Sequence, residues 1–479
     1  MVVTGAGHSD ARTDDASERW TTQLAGPVLL IATTAGLLGQ GAHYPSVQGP
    51  VGLLIALATL LALVGRPPTR DDLRLPPVVA ALALAAWAVL DGALVGGAGV
   101  GPALLLVGMV AVLLVYRRLA GEDRELLLAG VIGIGLLVAL TGWLGVAGRV
   151  GSWAFQAQGL WRASSTLTYP NATAAVLAPI GLVVLGRLVQ TPGSVPLTVA
   201  ATGLLAGLAA TMSRAGALAL VLGLVVLAGL QGLGATARAA AGPVAGAIVA
   251  LGCLLPSMPA ADPPQPALAL VGLGAGLTLA AVMTRVRPWP ALLFLGGVVL
   301  AGAAGLLAPA VGVGGAAHAV AEARVNLASP DRTGALHAAL RLVSQHPLTG
   351  TGPGQAELRW KGSDHGTHLY AYVHNEYLQL AAELGLVGLV LLAVLLAATA
   401  RLLWRTRPTG RASGTWAGVV AASVAFAIHS GFDFVWHLPA IVLTVTLLIG
   451  LVLPVPAAIP VDKQSVPVQA KEPDENQAH

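Results

Sequence analysis

The chain has 479 residues, of which 56% are hydrophobic and only 10% are charged, and its formal net charge is +4. A soluble domain carries about 25% charged residues, so this composition excludes an ordinary soluble globular protein. It indicates a polytopic membrane protein, because each spanning helix needs about 20 mostly apolar residues. The single cysteine, Cys253, excludes an intramolecular disulfide and a cysteine-rich metal site.

Apolar segments along the chain predict an all-α polytopic fold with about 12–14 transmembrane helices. The predicted spans are centred on 26–43, 50–65, 76–95, 100–116, 126–147, 171–190, 195–211, 215–232, 239–256, 266–284, 289–312, 377–400, 415–431 and 437–455. This divides the chain into transmembrane helices over 25–313, a polar loop over 314–376 and C-terminal helices over 377–457. The polar tails, 1–24 and 458–479, are predicted to be disordered and cytoplasmic.

Arginine distribution predicts the orientation of the chain in the membrane. With the N-terminus in the cytoplasm, the connections after the even-numbered spans face inward. They hold Arg66, Arg70, Arg74, Arg117, Arg118, Arg124, Arg187, Arg238, Arg285, Arg287, Arg401, Arg405, Arg407 and Arg411. Since cytoplasmic loops carry the excess of Lys and Arg, the long polar loop is predicted to face outward.

The connection before span 6 and the one before span 8 contain arginines that break this charge rule. Arg162 precedes Pro170-Asn171, and Arg214 follows Ser213 with almost no loop between two apolar spans. An arginine so close to hydrocarbon is costly unless it is paired or faces a polar cavity. These two residues are therefore candidates for function, and snorkelling to the membrane surface is the alternative.

The long loop carries Arg332, followed by a helical apolar pattern and a glycine-rich segment (347–354). Leu336, Leu340 and Val343 have the spacing of an amphipathic helix on the membrane surface. Arg332 could bind a phosphate in bidentate fashion. The glycine-rich segment is predicted to be an ordinary solvated loop, with a backbone anion nest as the alternative.

The loop ends in His374-Asn375-Glu376, immediately before another apolar helix. An imidazole at such a boundary could act as a general base, or it could merely anchor the helix at the interface. Glu376 or Asp433 could orient the imidazole.

Two histidine groups raise the possibility of a metal. His429, Asp433 and His437 are spaced four apart and would share one face of a regular helix. We interpret them as a polar stripe inside the bundle rather than as metal ligands. His365, His368 and His374 are a weaker zinc candidate, because no cysteine or carboxylate completes the set.

These motifs, in this order over about 160–440, resemble the O-antigen ligase and O-antigen polymerase superfamily of bacterial membrane glycosyltransferases. The matching segments are Arg162…Pro170-Asn171, Ser213-Arg214, Arg332 with 346–352, His374-Asn375…Glu383-Leu384-Gly385, and His429…Asp433-Phe434…His437. Two features depart from the family pattern: Leu336 stands where an aromatic residue is common, and the loop is short. The first 150 residues are similar only in being apolar spans.

The resemblance implies a GT-C-like transferase in the bacterial cytoplasmic membrane, with its active site facing outward. It implies transfer of a glycan from a polyprenyl-pyrophosphate lipid to a hydroxyl of a glycan, lipid or protein acceptor, without a metal, a cofactor or a nucleic-acid partner. The implied catalytic residues are His374, Arg332 and Arg214. The implied substrate-binding residues are Arg162, Asn171, Asn375, Glu376, Glu383, His429 and Asp433. A ligase, a polymerase and a protein-directed enzyme are not separated at this level.

Two rival functions remain compatible with the composition. A transporter or lipid-linked oligosaccharide flippase would also have many spans and buried arginines, although the sequence shows no clear internal repeat. A scaffold that binds a partner through the long loop would tolerate loss of His374.

Overall fold

The computed structural model describes residues 10–285, 330–361, 366–409 and 413–454. The helices of the N-terminal part are α1 (Asp10–Leu38), α2 (Pro45–Gly65), α3 (Arg70–Leu73), α4 (Pro76–Val95), α5 (Val100–Tyr116), α6 (Gly121–Gly148), α7 (Pro170–Gln190), α8 (Val195–Ala210), α9 (Arg214–Gln231), α10 (Leu233–Leu254) and α11 (Pro266–Met283). The remaining described helices are α12 (Pro330–Gln345), α13 (Glu376–Arg405), α14 (Gly414–Ser430) and α15 (Pro439–Gly450).

The predicted all-α polytopic fold class is confirmed. Among the described residues, nine helices are long and apolar enough to cross a membrane, and α5, α8, α14 and α15 are shorter apolar helices. Together they coincide with every predicted span except 289–312, which lies outside the described residues.

The N-terminal helix begins earlier than the sequence analysis predicted. Helix α1 starts at Asp10, so 10–24 is helical rather than disordered. The sequence of this part has acidic residues at its beginning, Asp10, Asp14 and Asp15, and negative charge near a helix N-terminus favours the helix through its dipole. The residues before Asp10, and the C-terminal tail predicted over 458–479, lie outside the described part of the chain.

Helix α7 lies at the centre of the bundle. In its most apolar stretch of 18 residues, 89% of the residues are buried, the largest share of any candidate span that the structure describes. It packs closely on α14, where a side chain at Gly186 would overlap the backbone of Gly414 and approach Gly418. Small residues let membrane helices approach in this way. The contact joins the end of α7 to the beginning of α14, and because the two helices run antiparallel, the beginning of α7 lies beside the end of α14.

Helix α13 is broken at Gly385, whose φ of 66° and ψ of −172° are not helical. The glycine-rich segment fills the break: the Thr351 N–H donates to the Ala382 carbonyl at 2.9 Å, and the Leu386 N–H donates to the Pro347 carbonyl at 2.8 Å. A side chain at Gly385 would overlap the Leu348 carbonyl. The backbone groups released by the break are therefore satisfied inside the protein, as an apolar environment requires.

This packing corrects the prediction of a solvated glycine-rich loop. The Gly352 N–H donates to the Glu383 carbonyl at 3.0 Å, and the Gly354 N–H donates to the Glu383 carboxylate at 3.0 Å. The segment also contacts the end of α4, where the Ala98 N–H donates to the Pro353 carbonyl at 3.1 Å. These amides already have protein acceptors, which also disfavours the alternative of an anion nest.

The described part of the polar loop contains α12 and a short hairpin of β3 (Leu358–Lys361) and β4 (Thr367–Tyr370). Ala335, Ala338 and Ala339 of α12 are buried against the hairpin side. Leu336 and Leu340 are exposed, as the amphipathic pattern predicts, whereas Val343, the third residue of that pattern, is partly buried against the same cluster. A second hairpin, β1 (Ala154–Ala157) with β2 (Leu160–Ala163), leads from α6 to α7.

Candidate active site

The site is built around Asp433, which lies in the turn between α14 and α15. Its side chain is 0% exposed. Helix α14 ends at Ser430 and α15 begins at Pro439, so the carboxylate is held by an irregular segment between two helix ends. A buried carboxylate needs hydrogen-bond donors or a cation to compensate its lost hydration.

Two donors come from the beginning of α7. The Tyr169 hydroxyl donates to the Asp433 carboxylate at 2.9 and 2.7 Å, and the Asn171 amide also donates to it. Pro170 stands at the first position of α7, where its fixed φ favours the start of a helix. The close packing of α7 on α14 thus brings the Tyr169-Pro170-Asn171 motif onto Asp433.

His374 supplies the third donor. Its Nδ1 lies 3.0 Å from Asp433 Oδ1, and the imidazole is 20% exposed. A carboxylate acceptor selects the tautomer that carries hydrogen on Nδ1, which leaves the lone pair on Nε2. Nε2 has no protein partner within the described ranges. The arrangement is that of an oriented base with its reactive nitrogen open.

The backbone of His374 has a φ of 58°, in the left-handed region that a non-glycine residue rarely occupies. Immediately after it, the Asn375 side chain accepts the Leu378 N–H at 3.1 Å and caps α13. The turn into α13 is therefore what directs the imidazole at Asp433. Asn375, which the resemblance implies to be a substrate ligand, has a helix-capping contact in the structure.

Arg332 approaches the same carboxylate from α12. Its guanidinium lies 4.0 Å from Asp433 Oδ2, and the side chain is 41% exposed. The contact is too long for a hydrogen bond. The guanidinium is thus held near the site by charge while its donors remain available to an anion.

Arg162 is joined to this network through Asn171. Its Nη2 lies 3.4 Å from Asn171 Oδ1, and its Nε donates to the Thr211 carbonyl at 3.0 Å. The second bond ties Arg162 to the turn before α9. Arg214 begins that helix and is exposed, and the Ser213 hydroxyl caps it by accepting the Gly216 N–H at 3.1 Å.

The charges and donors around Asp433 set its protonation. Burial alone would raise the pKa of Asp433, but the hydrogen bond and charge of His374 and the Tyr169 hydroxyl hold that pKa below its ordinary value. Burial and the neighbouring Asp433 raise the pKa of Tyr169. The site therefore combines an ionised carboxylate with a neutral phenol that donates to it.

Aromatic side chains enclose the His374–Asp433 pair. The Phe434 ring stacks on Tyr169 at 5.2 Å and on Tyr372 at 4.6 Å, and the His374 ring lies against it at 5.0 Å, centroid to centroid. Such rings restrict the imidazole without offering it a competing hydrogen bond. Tyr169, Tyr372 and Phe434 had no role predicted from the sequence. Their proximity in sequence to Asn171, His374 and Asp433 was the available signal.

Glu376 and Glu383 have protein partners of their own. Glu376 accepts the Trp436 N–H and lies 3.3 Å from His437 Nδ1. Glu383 accepts the Gln379 amide at 2.5 Å and the Gly354 N–H. Of the two carboxylates that could orient His374, the structure therefore brings Asp433 to it and places Glu376 on His437.

The interpretation of His429, Asp433 and His437 as one helical stripe is wrong. Helix α14 ends at Ser430, and His437 lies in a separate 3-10 turn. Gly431 and Pro439 interrupt the helical pattern, since neither favours continuation of the helix. His429 is fully buried, and neither ring nitrogen has a hydrogen-bond partner among the residues that the structure describes, so the structure does not bring it into the network.

Neither histidine group forms a metal site in the part of the chain that the structure describes. Within it, no group of three or more His, Cys, Asp or Glu side chains could hold a metal ion. His368 stacks on Trp360 at 5.5 Å. His365 lies outside the described residues.

Comparison with known protein families finds a match over part of the chain. Residues 266–393 match the family model described as O-antigen ligase (Wzy_C). The match contains Arg332 and His374 but not Asp433, which the tertiary structure brings to both of them. It confirms the resemblance to the O-antigen ligase and polymerase superfamily. A search of curated proteins finds no match.

Proposed function

We propose that this chain, whose residues 266–393 carry the O-antigen ligase family sequence, transfers a glycan from a polyprenyl-pyrophosphate lipid to an acceptor hydroxyl at the outer face of the cytoplasmic membrane. The family match by itself indicates ligase- or polymerase-type activity in a membrane protein. The observation that carries the finer proposal is the His374–Asp433 pair, with Nε2 open and Arg332 beside it.

In the proposed reaction the acceptor hydroxyl attacks the anomeric carbon of the donor sugar. Its proton passes to Nε2 of His374, and Asp433 stabilises the imidazolium that forms, as a carboxylate does behind a catalytic histidine. The bond from the anomeric carbon to the pyrophosphate oxygen breaks, and the lipid pyrophosphate leaves as an anion. A glycan–acceptor bond replaces the glycan–phosphate bond, so atoms and charge balance.

The cations of the site supply the second requirement, stabilisation of the leaving group. We assign this role to Arg332 and Arg214, with Arg162 in support because its Nε is already bonded to Thr211. A guanidinium offers a fixed fork of donors that matches phosphate oxygens. Preorganised donors aimed at developing charge usually contribute more to the rate of such transfers than any other single effect. This chemistry requires no metal.

The break in α13 does not favour the transporter alternative. In transporters, discontinuous helices expose backbone groups to substrate or ions. Here the groups around Gly385 bond to the glycine-rich segment, and the Trp87 indole donates to the Leu384 carbonyl at 3.0 Å.

The test is a transfer assay on the full chain reconstituted in lipid vesicles, with a polyprenyl-pyrophosphate glycan as donor and EDTA present. We expect released polyprenyl pyrophosphate and a lengthened or newly glycosylated acceptor. Flux of the donor across the bilayer without bond formation would overturn the proposal in favour of a flippase. Loss of activity with EDTA would refute metal independence alone.

A further inference from the structure

A second pair of a histidine and a carboxylate lies beside the first, and the proposed reaction does not use it. His437 Nδ1 is 3.3 Å from Glu376 Oε1. The two pairs cross: the segment 374–376 and the turn 433–437 each contribute one histidine and one carboxylate. His374 meets Asp433, and Glu376 meets His437.

Aromatic rings connect the two imidazoles. His374 lies against Phe434, Phe434 stacks on Tyr372, and the His437 ring packs on Tyr372 with centroids 4.6 Å apart. The two histidines therefore flank one pair of stacked rings. His437 is 27% exposed, and its Nε2 has no partner among the described residues.

The groups around His437 differ from those around His374. Glu376 is almost fully buried and contacts Nδ1, Glu383 lies near enough to act by charge, and Tyr372 covers one face. His43, which precedes α2, lies with its Nδ1 3.3 Å from the His437 carbonyl and does not contact the imidazole. Burial alone would lower the pKa of His437, but the charge and hydrogen bond of Glu376, with Glu383, raise it.

We propose that His437 is a further substrate contact of this site, an imidazolium whose Nε2–H donates to a phosphate oxygen. The inference rests on the proposed transfer reaction. A histidine held by a buried carboxylate, with one nitrogen open, is a cationic donor of the kind that binds anionic oxygens. The phosphate could belong to the lipid-linked donor or, in a polymerase reaction, to a lipid-linked acceptor.

The test measures the KM of each substrate of the wild-type protein against pH. If His437 binds phosphate as a cation, the KM of one phosphate-bearing substrate rises as His437 is deprotonated and levels off at the KM of the His437→Gln variant. Varying the donor against a phosphate-free acceptor identifies the donor as the source, and varying a lipid-linked acceptor at saturating donor identifies the acceptor. KM values that do not change with pH over this range overturn the inference without any variant.

Two variants sharpen the test. His437→Gln should raise that same KM at least tenfold at neutral pH and remove its pH dependence. Glu376→Gln should move the rise in KM to lower pH, because it removes the charge that favours the imidazolium. His43→Gln is the matched control, since it alters the neighbouring backbone contact and leaves the imidazole intact. A purely structural pair would alter stability in both variants and leave the pH at which KM rises unchanged.

The outcomes separate this inference from the proposed function. Transfer by the wild-type protein with a pH-independent KM refutes the role of His437 alone. Without transfer by the wild-type protein the proposed function fails, and binding of inorganic pyrophosphate to the wild type and to His437→Gln then tests the contact directly. Equal binding to both proteins would overturn it.

Discussion

Two buried aspartates, Asp72 and Asp433, have different surroundings, and the difference separates a structural ion cluster from a reactive one. Asp72 precedes α4, whose far end contacts the glycine-rich segment of the polar loop. Asp72 bonds directly to Arg117 and, at 2.8 Å, to Arg118. Asp433, on the side of the loop, meets Tyr169, Asn171 and a histidine, while its arginine stays 4.0 Å away.

The charges of the first cluster are paired directly and lie inside the protein. Arg118 also donates to the carbonyls of Arg66 at 2.7 Å and Leu114 at 2.7 Å, and the Asp72 carboxylate accepts the Thr69 N–H at 2.8 Å. Asp72 and both of its arginines are buried. At Asp433 the side chains that donate are Tyr169, Asn171 and His374, and Arg332 lies 4.0 Å away without a hydrogen bond to the carboxylate. The difference therefore lies in the cations: the arginines at Asp72 are paired directly with their carboxylate, whereas Arg332 at Asp433 is not.

The largest loss of activity should follow substitution of His374 or Asp433. His374→Ala and Asp433→Asn should each lower kcat by about 10²–10⁴-fold, because they remove the base or its orientation. Asp72→Asn should instead lower stability, since it leaves two buried arginines without their carboxylate, and activity per folded molecule should persist. Initial rates and thermal unfolding of the purified proteins check both. Equal losses of rate in Asp72→Asn and Asp433→Asn would contradict the distinction.

The second-largest loss of activity should follow substitution of Arg332, which lies 4.0 Å from the Asp433 carboxylate. Arg332→Ala should lower kcat by about 10²–10³-fold, the range for loss of one preorganised donor to developing charge. Arg332→Lys should restore little, since an ammonium cannot bind phosphate oxygens through a planar fork. Single-turnover rates with saturating donor measure both variants. Exposed Arg341→Ala, on the same helix, is the control, and full transfer by Arg332→Ala would refute the assignment.

A smaller effect, on stability, is expected at Gly385, where α13 is broken and the glycine-rich segment packs against it. Gly385→Ala should cost about 1–3 kcal/mol, because it places a side chain at a positive φ and against the Leu348 carbonyl. Activity should fall with the folded fraction. Gly133→Ala in α6 is the matched control, since a side chain there meets nothing within 4 Å. Thermal unfolding in one detergent compares the two, and equal stability would refute the role given to the break.

The smallest effect is the pH dependence of stability. Burial alone would raise the pKa of Asp72, but the Thr69 N–H and Arg118 hold that pKa below its ordinary value, as the partners of Asp433 do there. Each carboxylate then contributes stability that is complete above its unfolded pKa of about 4 and is lost as pH falls through the lower folded pKa. His437 has a raised pKa, so its contribution is complete below about pH 6.5 and is lost as pH rises through the folded pKa.

Unfolding temperatures between pH 3 and pH 9 check these signs. Asp72→Asn and Asp433→Asn should each reduce the loss of stability on the acidic side, and His437→Gln should reduce the loss on the alkaline side. An acidic loss that is identical in the wild type and in both aspartate variants would contradict the assigned shifts.

The number and position of most helices follow from the sequence, because long apolar segments in a chain with few charges have hardly any alternative to spanning a bilayer. Arg332, His374 and Asp433 were also predicted from the sequence as site residues, since ionisable residues in so apolar a chain are costly unless they are paired or functional. Residue spacing along a helix, however, carried no information about where α14 ends, and the predicted stripe of His429, Asp433 and His437 was wrong for that reason.

Which side chains meet depends on how the helices pack and cannot be predicted from local sequence patterns. Asp433 binds His374 and Asn171 across long sequence separations, and the packing of α7 on α14 brings them together. The pairing of Glu376 with His437 likewise depends on how two turns cross. Local patterns determine helices because those hydrogen bonds are local, whereas the partner of a buried charge is set by the packing of the whole bundle.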